Sequence, residues 1–475
     1  MNQILSMKEL LTIEEDLEVL NFRFVYDNIL MWPFVRNFLL QSAVNKMFDL
    51  DYPYFSISKL FHNNIFAYLI NTITNNPLLG NNNESIDIMI FGSGVLNVKG
   101  DNGKYINKSY DYFAFEYEDR TLIIEESSKG KYLKPRYFTR VRYHDAILIK
   151  ALIKSQFEKL KTLDTKTVEQ FILFLKKKFI YKFDDSTWIR VCHNLKSKAK
   201  SLPSLHSCYS MLFEKFNPKL IILDDGSYGH KSHVLKWARE IGIKTAEYQH
   251  GAVSKNHQAY NYGKALLGSE YEKYLPQYFL TFGKYWNSQI NTPSQTITIG
   301  NAYIIEHLKN HRVPMETKTK KIVLLISGGT TPELFRQLAL ELKKRLDDSK
   351  FEILFRPHPA ERFLVKERYQ ILKTNEILLN TGNLYDTLSS VDLIVSTEIS
   401  TVLFEAMFFR KQVFVQNNPY LSYYVDRNIF SVFNGVEELV EKILNNETKN
   451  YNPNDFWDGN WQVNYRNFIE NIAKI

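Results

Sequence analysis

The chain has 475 residues, is 44% hydrophobic and 24% charged, and carries a formal net charge of +8. Its length exceeds what one ordinary core organises, so two domains are expected, and its composition excludes disordered and fibrous classes. Two cysteines, Cys192 and Cys208, are too few for a disulfide scaffold or a structural zinc site and fit a reducing compartment.

Residues 1–85 read as a mostly helical N-terminal region packed on the first domain. Met1 to Leu10 mixes polar and apolar residues, and Glu14, Glu15 and Asp16 follow, which is not a secretory signal layout. No apolar run reaches membrane-spanning length, so the expected location is cytoplasmic, with peripheral contact at the inner face of the cell membrane as an option. Phe22 to Leu40 is dense in aromatics, with Trp32-Pro33 as a helix start or break. Between Ile57 and Ile73, Leu60, Phe61, Ile65, Phe66, Leu69 and Ile70 recur at helical spacing. That helix either packs on the domain behind it or presents an amphipathic face to a membrane or partner. Asp49-Leu50-Asp51 matches a metal-binding Asp-x-Asp in form, but it precedes every Rossmann-type strand and is set aside; no metal ligand is expected.

A polar linker at Asn81 to Glu84 opens the first domain, residues 86–310. Ile86 to Phe91 reads as a core strand ending in Gly92-Ser93-Gly94, a phosphate-loop start that lacks a third glycine. Val95 to Ser128 reads as an irregular or β-rich insertion near a cleft, with a turn at Asp101-Asn102-Gly103 and alternating Tyr110, Tyr112, Phe113 and Phe115. Asp145 to Lys200 is helical and lysine-rich. Strand and helix then alternate: Leu220 to Leu223 closes in Asp224-Asp225-Gly226-Ser227, a helix runs from Lys231 to Ile241, and Thr245 to Tyr248 closes in Gln249-His250-Gly251. Tyr278 to Phe282 and Thr296 to Ile299 complete a parallel sheet of βα units.

His311 to Lys321 is polar and charged and serves as the interdomain linker, opening the second domain, residues 311–454. Ile322 to Ile326 begins its sheet, and Ser327-Gly328-Gly329-Thr330-Thr331-Pro332 leads into a helix from Glu333 to Leu346. Phe351 to Phe355 is a strand that empties into Arg356-Pro357-His358-Pro359, where two prolines hold the imidazole in a stiff loop. Val391 to Val395 leads to Ser396-Thr397-Glu398-Ile399-Ser400-Thr401 and a helix carrying Glu405; Lys411 to Gln416 returns as a strand. Residues 455–475 form a final helix that crosses back to the first domain. The expected class is therefore α/β, two doubly wound Rossmann-like domains preceded by the helical region.

Ligands in open α/β sheets bind beyond the strands' C-terminal ends. On that edge Asp224 and Asp225 sit side by side, and one carboxylate beside another has a raised pKa and accepts a proton near neutrality. The alternative is that Asp224 caps a helix and Asp225 is solvated. His358 is placed to donate to a phosphate oxygen, Ser400 and Thr401 to hold the same phosphate at a helix start, and Glu405 to accept from ribose hydroxyls. Each also has a plain structural alternative. Gly328, Gly329, Thr330, Arg356, Pro359 and Ser396 complete the expected donor-nucleotide side; Gly92, Ser93, Gln249, His250 and Gly251 line the acceptor side of the cleft. Metalloprotease, kinase, P-loop and hydrolase-elbow motifs are absent. The basic surplus is an ordinary solvated surface or an attraction to anionic membrane or a phosphorylated acceptor, and without an Arg-rich stripe nucleic acid is not expected.

The order Asp224-Asp225-Gly226-Ser227, His358-Pro359 and a Ser/Thr pair resembles bacterial sialyltransferases of the two-domain GT-B architecture, which carry acidic-acidic-Gly, His-Pro and Ser-rich motifs in that order. With Tyr248-Gln249-His250-Gly251 and Arg356-Pro357-His358-Pro359, the chain is also similar to capsule and lipopolysaccharide glycosyltransferases, Kdo transferases among them, and to CDP-glycerol glycerophosphotransferases. The resemblance covers roughly residues 219–416. It implies a metal-independent transferase with no cofactor beyond a nucleotide-sugar donor, CMP-linked to a nonulosonic acid such as sialic acid or to Kdo, and an oligosaccharide or lipid-linked glycan acceptor. By this likeness Asp224 is the general base, His358 contacts the CMP phosphate, and Ser400 with Thr401 completes the phosphate site. The family's paired serines stand here as Ser-Thr, with Ser396-Thr397 competing for the role. UDP or GDP sugars, glycerophosphate transfer, and a non-catalytic carbohydrate-binding part of a polysaccharide assembly are the other options.

Overall fold

The structure, a computed structural model, describes residues 4–50, 65–80, 86–100, 102–128, 130–310, 319–447 and 449–475. Asp51 of the Asp-x-Asp triplet, the linker at 81–84 and most of the linker at 311–321 lie outside them. The strands in chain order begin with β1 (Ile88–Ser93), the hairpin strands β2 (Asn97–Lys99) and β3 (Tyr105–Asn107), β4 (Thr121–Glu126) and β5 (Val141–Tyr143). Next come β6 (Leu220–Leu223), β7 (Lys244–Tyr248), β8 (Tyr278–Thr281) and β9 (Gln295–Thr298). The second half supplies β10 (Lys321–Ile326), β11 (Phe351–Arg356), β12 (Leu378–Leu379), β13 (Leu393–Ser396), β14 (Gln412–Gln416) and β15 (Ser431–Phe433).

Among the described residues these strands form two parallel sheets, ordered β5-β4-β1-β6-β7-β8-β9 and β12-β11-β10-β13-β14-β15. Each sheet starts at its centre and winds first to one side, then to the other. That is the Rossmann order, so each half has a crevice where the direction reverses: between β1 and β6 in the first, between β10 and β13 in the second. Both sheets are covered on two faces. In β1, Met89 and Phe91 join one core, which takes in the N-terminal residues and the helices Asp145–Phe157, Thr162–Lys178 and Asp185–Phe216. Ile88 and Ile90 point to the opposite core, as period-2 alternation requires.

That second core runs unbroken from Ile222 and Ala246 in the first sheet to Ile326, Ile394 and Leu403 in the second half. The C-terminal segment is its clasp. Trp286 Nε1 donates to the Phe456 carbonyl (2.8 Å), Trp457 Nε1 to the Phe404 carbonyl (3.0 Å), and Tyr248 to the Tyr465 hydroxyl (3.1 Å), so the segment touches both halves.

Residues Val95 to Ser128, expected to be an irregular or β-rich insertion, contain strands and a helix. They hold the β2–β3 hairpin, whose turn uses Gly103 at φ +76°, then a helix Asp111–Glu116 and the core strand β4. Of the aromatics that alternate in sequence, Tyr112, Phe113 and Phe115 are helical, and Tyr110, just before the helix, is buried with Phe113. The N-terminal region is less helical than its pattern suggests. Up to Asn28 it is a chain of short turns, and the helix Pro33–Met47 begins with Pro33 at its first position. A buried ion pair fastens it: Arg36 Nε lies 2.5 Å from Glu14, and the same guanidinium donates to the carbonyls of Gln258 and Asn261. No helix among the described residues is long and apolar enough to cross a membrane.

Candidate functional site

The apolar run Leu220–Leu223 is buried throughout and ends where the chain needs polar residues, at the crevice beside β1. Asp224 is buried there. Its Oδ2 accepts the Ser93 backbone N–H at 2.6 Å, and its Oδ1 has no hydrogen-bond partner among the described residues. Gly92 must be glycine, because a Cβ would lie 2.2 Å from the Tyr110 ring. The two adjacent carboxylates are not equivalent. Asp225 is held by Lys231 Nζ and His230 Nε2, each at 2.8 Å, which keeps it well below the usual carboxylate range despite burial. Lys231 stands farther from Asp224, at 3.7 Å, so burial first and the Asp225 charge second raise the Asp224 carboxyl well above that range. Asp224 is the member of the pair made to take up a proton.

Behind this pair lies a buried relay that the sequence did not reveal. Lys231 also binds Glu126 at 3.0 Å; Glu126 meets His144 Nδ1 at 3.1 Å, and His144 Nε2 meets the Tyr209 hydroxyl at 2.7 Å. On the other flank, Ser227 donates through its backbone N–H to Glu247 at 2.8 Å, and Tyr260 through its hydroxyl at 3.0 Å. Burial pushes Glu247 up to about 8.

β7 ends in Gln249 and His250. Gln249 is a strut between strand ends: its amide donates to the Gly251 carbonyl at 2.8 Å and accepts the Phe282 N–H at 2.9 Å. His250 packs on Tyr228 and contacts the Asp224 backbone, and its enclosed Nδ1 has no partner among the described residues. Burial lowers its pKa, so the ring is neutral.

The second half faces this edge directly. Thr401 opens the helix Thr401–Phe408, and its hydroxyl accepts the Ala252 N–H at 2.8 Å, beside Gly251. The Ser400 hydroxyl is enclosed and makes no hydrogen bond among the described residues. Between the halves lies a cavity of about 230 Å³ lined by Lys108, Tyr248, Gln249 and His250 from one side and Pro359, Tyr385, Thr401 and Glu405 from the other. Glu405 accepts from Tyr385 at 3.0 Å, and burial raises its pKa. His358 stands behind Pro359. Its Nδ1 accepts the Ala360 N–H at 3.2 Å and caps the turn Pro359–Leu364, and burial keeps the ring neutral, so the remaining proton is on Nε2.

Four expected donor-site residues are committed elsewhere. The Ser396 hydroxyl is buried between the Ile326 and Glu398 carbonyls, at 2.8 and 2.9 Å, and is not free for a ligand. Thr330 gives its N–H (3.1 Å) and hydroxyl to the buried Glu398 carboxylate, which also takes the Thr331 N–H at 2.8 Å. Gly328 is pressed against the same carboxylate, 2.4 Å from where its Cβ would stand. The loop expected to contact the donor nucleotide thus binds the chain's own glutamate. Arg356 donates to Asn380 Oδ1 (2.5 Å) and the Gly382 carbonyl (2.9 Å), holding the strand end. Gly329 keeps a conformational role, at φ +89° and close to His358. Glu398 lies one residue beyond the Ser-Thr pair it neighbours, a spacing that gave no hint of its partners in a loop 67 residues earlier.

Among the described residues no cluster of three or more metal-ligating side chains occurs. No family model and no curated protein matches the chain. Among solved structures it is similar to a Staphylococcus aureus MnaA–UDP co-structure, with 12% identity over 82% of this chain and 98% of that one and a TM-score of 0.44. A Neisseria meningitidis UDP-GlcNAc 2-epimerase bound to UDP-GlcNAc gives 12% identity, 80% and 98% coverage and a TM-score of 0.44. The lipopolysaccharide outer core galactosyltransferase WaaB in its apo form gives 13%, 80% and 98%, and 0.36.

Proposed function

We propose that the chain is a glycosyltransferase that moves a sugar from a nucleotide sugar to a hydroxyl of an oligosaccharide or lipid-linked glycan. One observation carries this: a buried, proton-seeking Asp224 with an unsatisfied oxygen lies beside His250, whose cavity is closed from the other half by the helix start at Thr401. An acid and an anion-binding helix start on facing edges are the two parts that displacement at an anomeric carbon requires.

In that reaction Asp224 accepts the proton of the acceptor hydroxyl as its oxygen bonds to the anomeric carbon. The bond from that carbon to the nucleotide phosphate breaks, and the phosphate leaves with the electron pair. Ser400, the first N–H groups of the helix Thr401–Phe408 and the Nε2–H of His358 meet the charge that develops there. Asp225 keeps Lys231 close, and Lys231 favours the ionised form of Asp224 that acts as base. The donor we assign from the motif order is a CMP-linked nonulosonic acid or Kdo, with UDP and GDP sugars as the competing class. Peripheral membrane contact fits the exposed apolar residues Phe66, Ile70, Leu152 and Phe157 on two helices that pack together.

Transfer assays with Asp224→Ala and His358→Ala test the assignment. Both variants are expected to stay folded and to lose activity, and full activity in either refutes its role. A thermal-shift screen against CMP, CDP, UDP and GDP selects the nucleotide, since a ligand that binds only the folded state raises the midpoint. A protein that binds glycan but hydrolyses and transfers nothing, with Asp224 dispensable, is a binding module instead.

A further inference from the structure

Lys108 has no role in the scheme above, and its surroundings are unusual. It lies just beyond β3, at the foot of the hairpin, and reaches the cavity between the halves. Among the described residues its ammonium makes no hydrogen bond and no ion pair; the Tyr303 and Tyr385 rings stand 5.5 and 5.1 Å away. Desolvation lowers its pKa first. Glu405 opposes this, but Arg356 and Arg362 add to it. Among the described residues Arg356 likewise has no ion-pair partner, its terminal nitrogens donating to an amide oxygen and a carbonyl. Lys108 and Glu405 are the charged side chains that line the cavity, burial raises the Glu405 pKa, and Arg356 and Arg362 add positive charge nearby. A partly desolvated cation that makes no direct ion pair is costly, and a ring face compensates only part of that cost. The enclosed Ser400 hydroxyl and His250 Nδ1, which have no hydrogen-bond partner among the described residues, add a donor and a polar atom.

We propose that this cavity is built for a ligand with two anionic groups, the first at the Ser400–Thr401 helix start and the second on Lys108. Within the transferase reading, on which the identity of the ligand rests, the second group is either the β-phosphate of a nucleoside diphosphate sugar or the carboxylate of a CMP-linked ulosonate. Lys108 then selects donors by charge, and because it comes from the first half while Thr401 comes from the second, the doubly anionic ligand also draws the halves together.

Calorimetric titration of the full chain and of Lys108→Met and Lys108→Arg tests this, with UMP, UDP, CMP, CMP-N-acetylneuraminate, orthophosphate and pyrophosphate as probes. The wild type is expected to bind UDP over UMP, or CMP-N-acetylneuraminate over CMP, by about tenfold, the worth of one charge-assisted contact. Whichever pair shows the preference identifies the second group. Lys108→Met, which keeps the side chain's bulk, should lose the preference, and Lys108→Arg should keep most of it. Equal binding within both pairs by the wild type, or a preference intact in Lys108→Met, overturns the inference while leaving the transferase standing. Pyrophosphate bound through Lys108 by a protein that binds no nucleotide sinks the transferase and sustains the dianion site. A wild type that binds none of the six overturns both.

Discussion

Asp224 and Asp225 are neighbours in sequence and opposites in chemistry, and the difference is made by distance to one ammonium. Lys231 stands 2.8 Å from Asp225 and 3.7 Å from Asp224. Asp224→Asn should therefore reduce transfer by at least about 100-fold, the usual contribution of a positioned base. It should not reduce stability. A carboxyl raised on folding contributes stability below its unfolded pKa and loses it as pH rises through the folded value, so at neutral pH the wild-type acid is a burden that Asn removes. An Asp224→Asn protein with a lower urea midpoint at pH 7 contradicts this account. Glu247 obeys the same sign with a window that can be named. Its pKa rises from 4.5 unfolded to about 8 folded, so its contribution is present below pH 4.5 and is lost on the way up to about pH 8. Glu247→Gln should flatten the stability profile across that window, by on the order of several kcal/mol, read from denaturant midpoints at a series of pH values.

At the scale of elements, close approach and buried charge do what local pattern cannot. Gly92→Ala drives a methyl group into Tyr110, whose hydroxyl is bound to Glu125 at 2.9 Å and cannot swing away freely. The expected cost is about 1–3 kcal/mol by overpacking, with loss of transfer beyond that because the Ser93 N–H moves off Asp224. Denaturation and steady-state rates measured together separate the two effects. Of the ion pairs that tie down the N-terminal region among the described residues, Arg36–Glu14 is the fully buried one. Arg36→Met leaves the buried Glu14 with Trp32 and the Gly263 N–H but no cation, and should cost about 3–5 kcal/mol in chemical denaturation. Replacing both, as Arg36→Met with Glu14→Leu, should recover much of that loss, since a buried pair exchanged for apolar groups is close to neutral.

Across the whole molecule, the two sheets share one core, and the C-terminal segment is what joins them. Trp457 is buried, packs its ring on Phe282 of the first half at 5.0 Å and donates to Phe404 of the second. Trp457→Ala should cost about 3–5 kcal/mol and, more tellingly, split a single unfolding transition into two as the halves lose their common clasp. A single calorimetric transition in that variant counts against the clasp.

Strands such as Leu220–Leu223 and Lys321–Ile326 were legible because each carries a short apolar run that stops at a polar residue. Leu220–Leu223 is buried in full and Phe351–Arg356 at four of its six positions, and the doubly wound class follows from their alternation with helices. The edge on which Asp224, His250, Pro359 and Thr401 stand followed too, since a parallel sheet puts every strand's C-terminal end on one side. The strand Thr121–Glu126 was not legible. Its two terminal glutamates look like surface residues until Arg136 and Lys231, 11 and 105 positions away in the chain, arrive to hold them. The same distance hid Glu398 in its loop and Lys108 in its cavity. Hydrophobic runs declare themselves because burial of apolar surface is set residue by residue. The partner of a buried charge is set by where the chain returns, and only the folded molecule decides that.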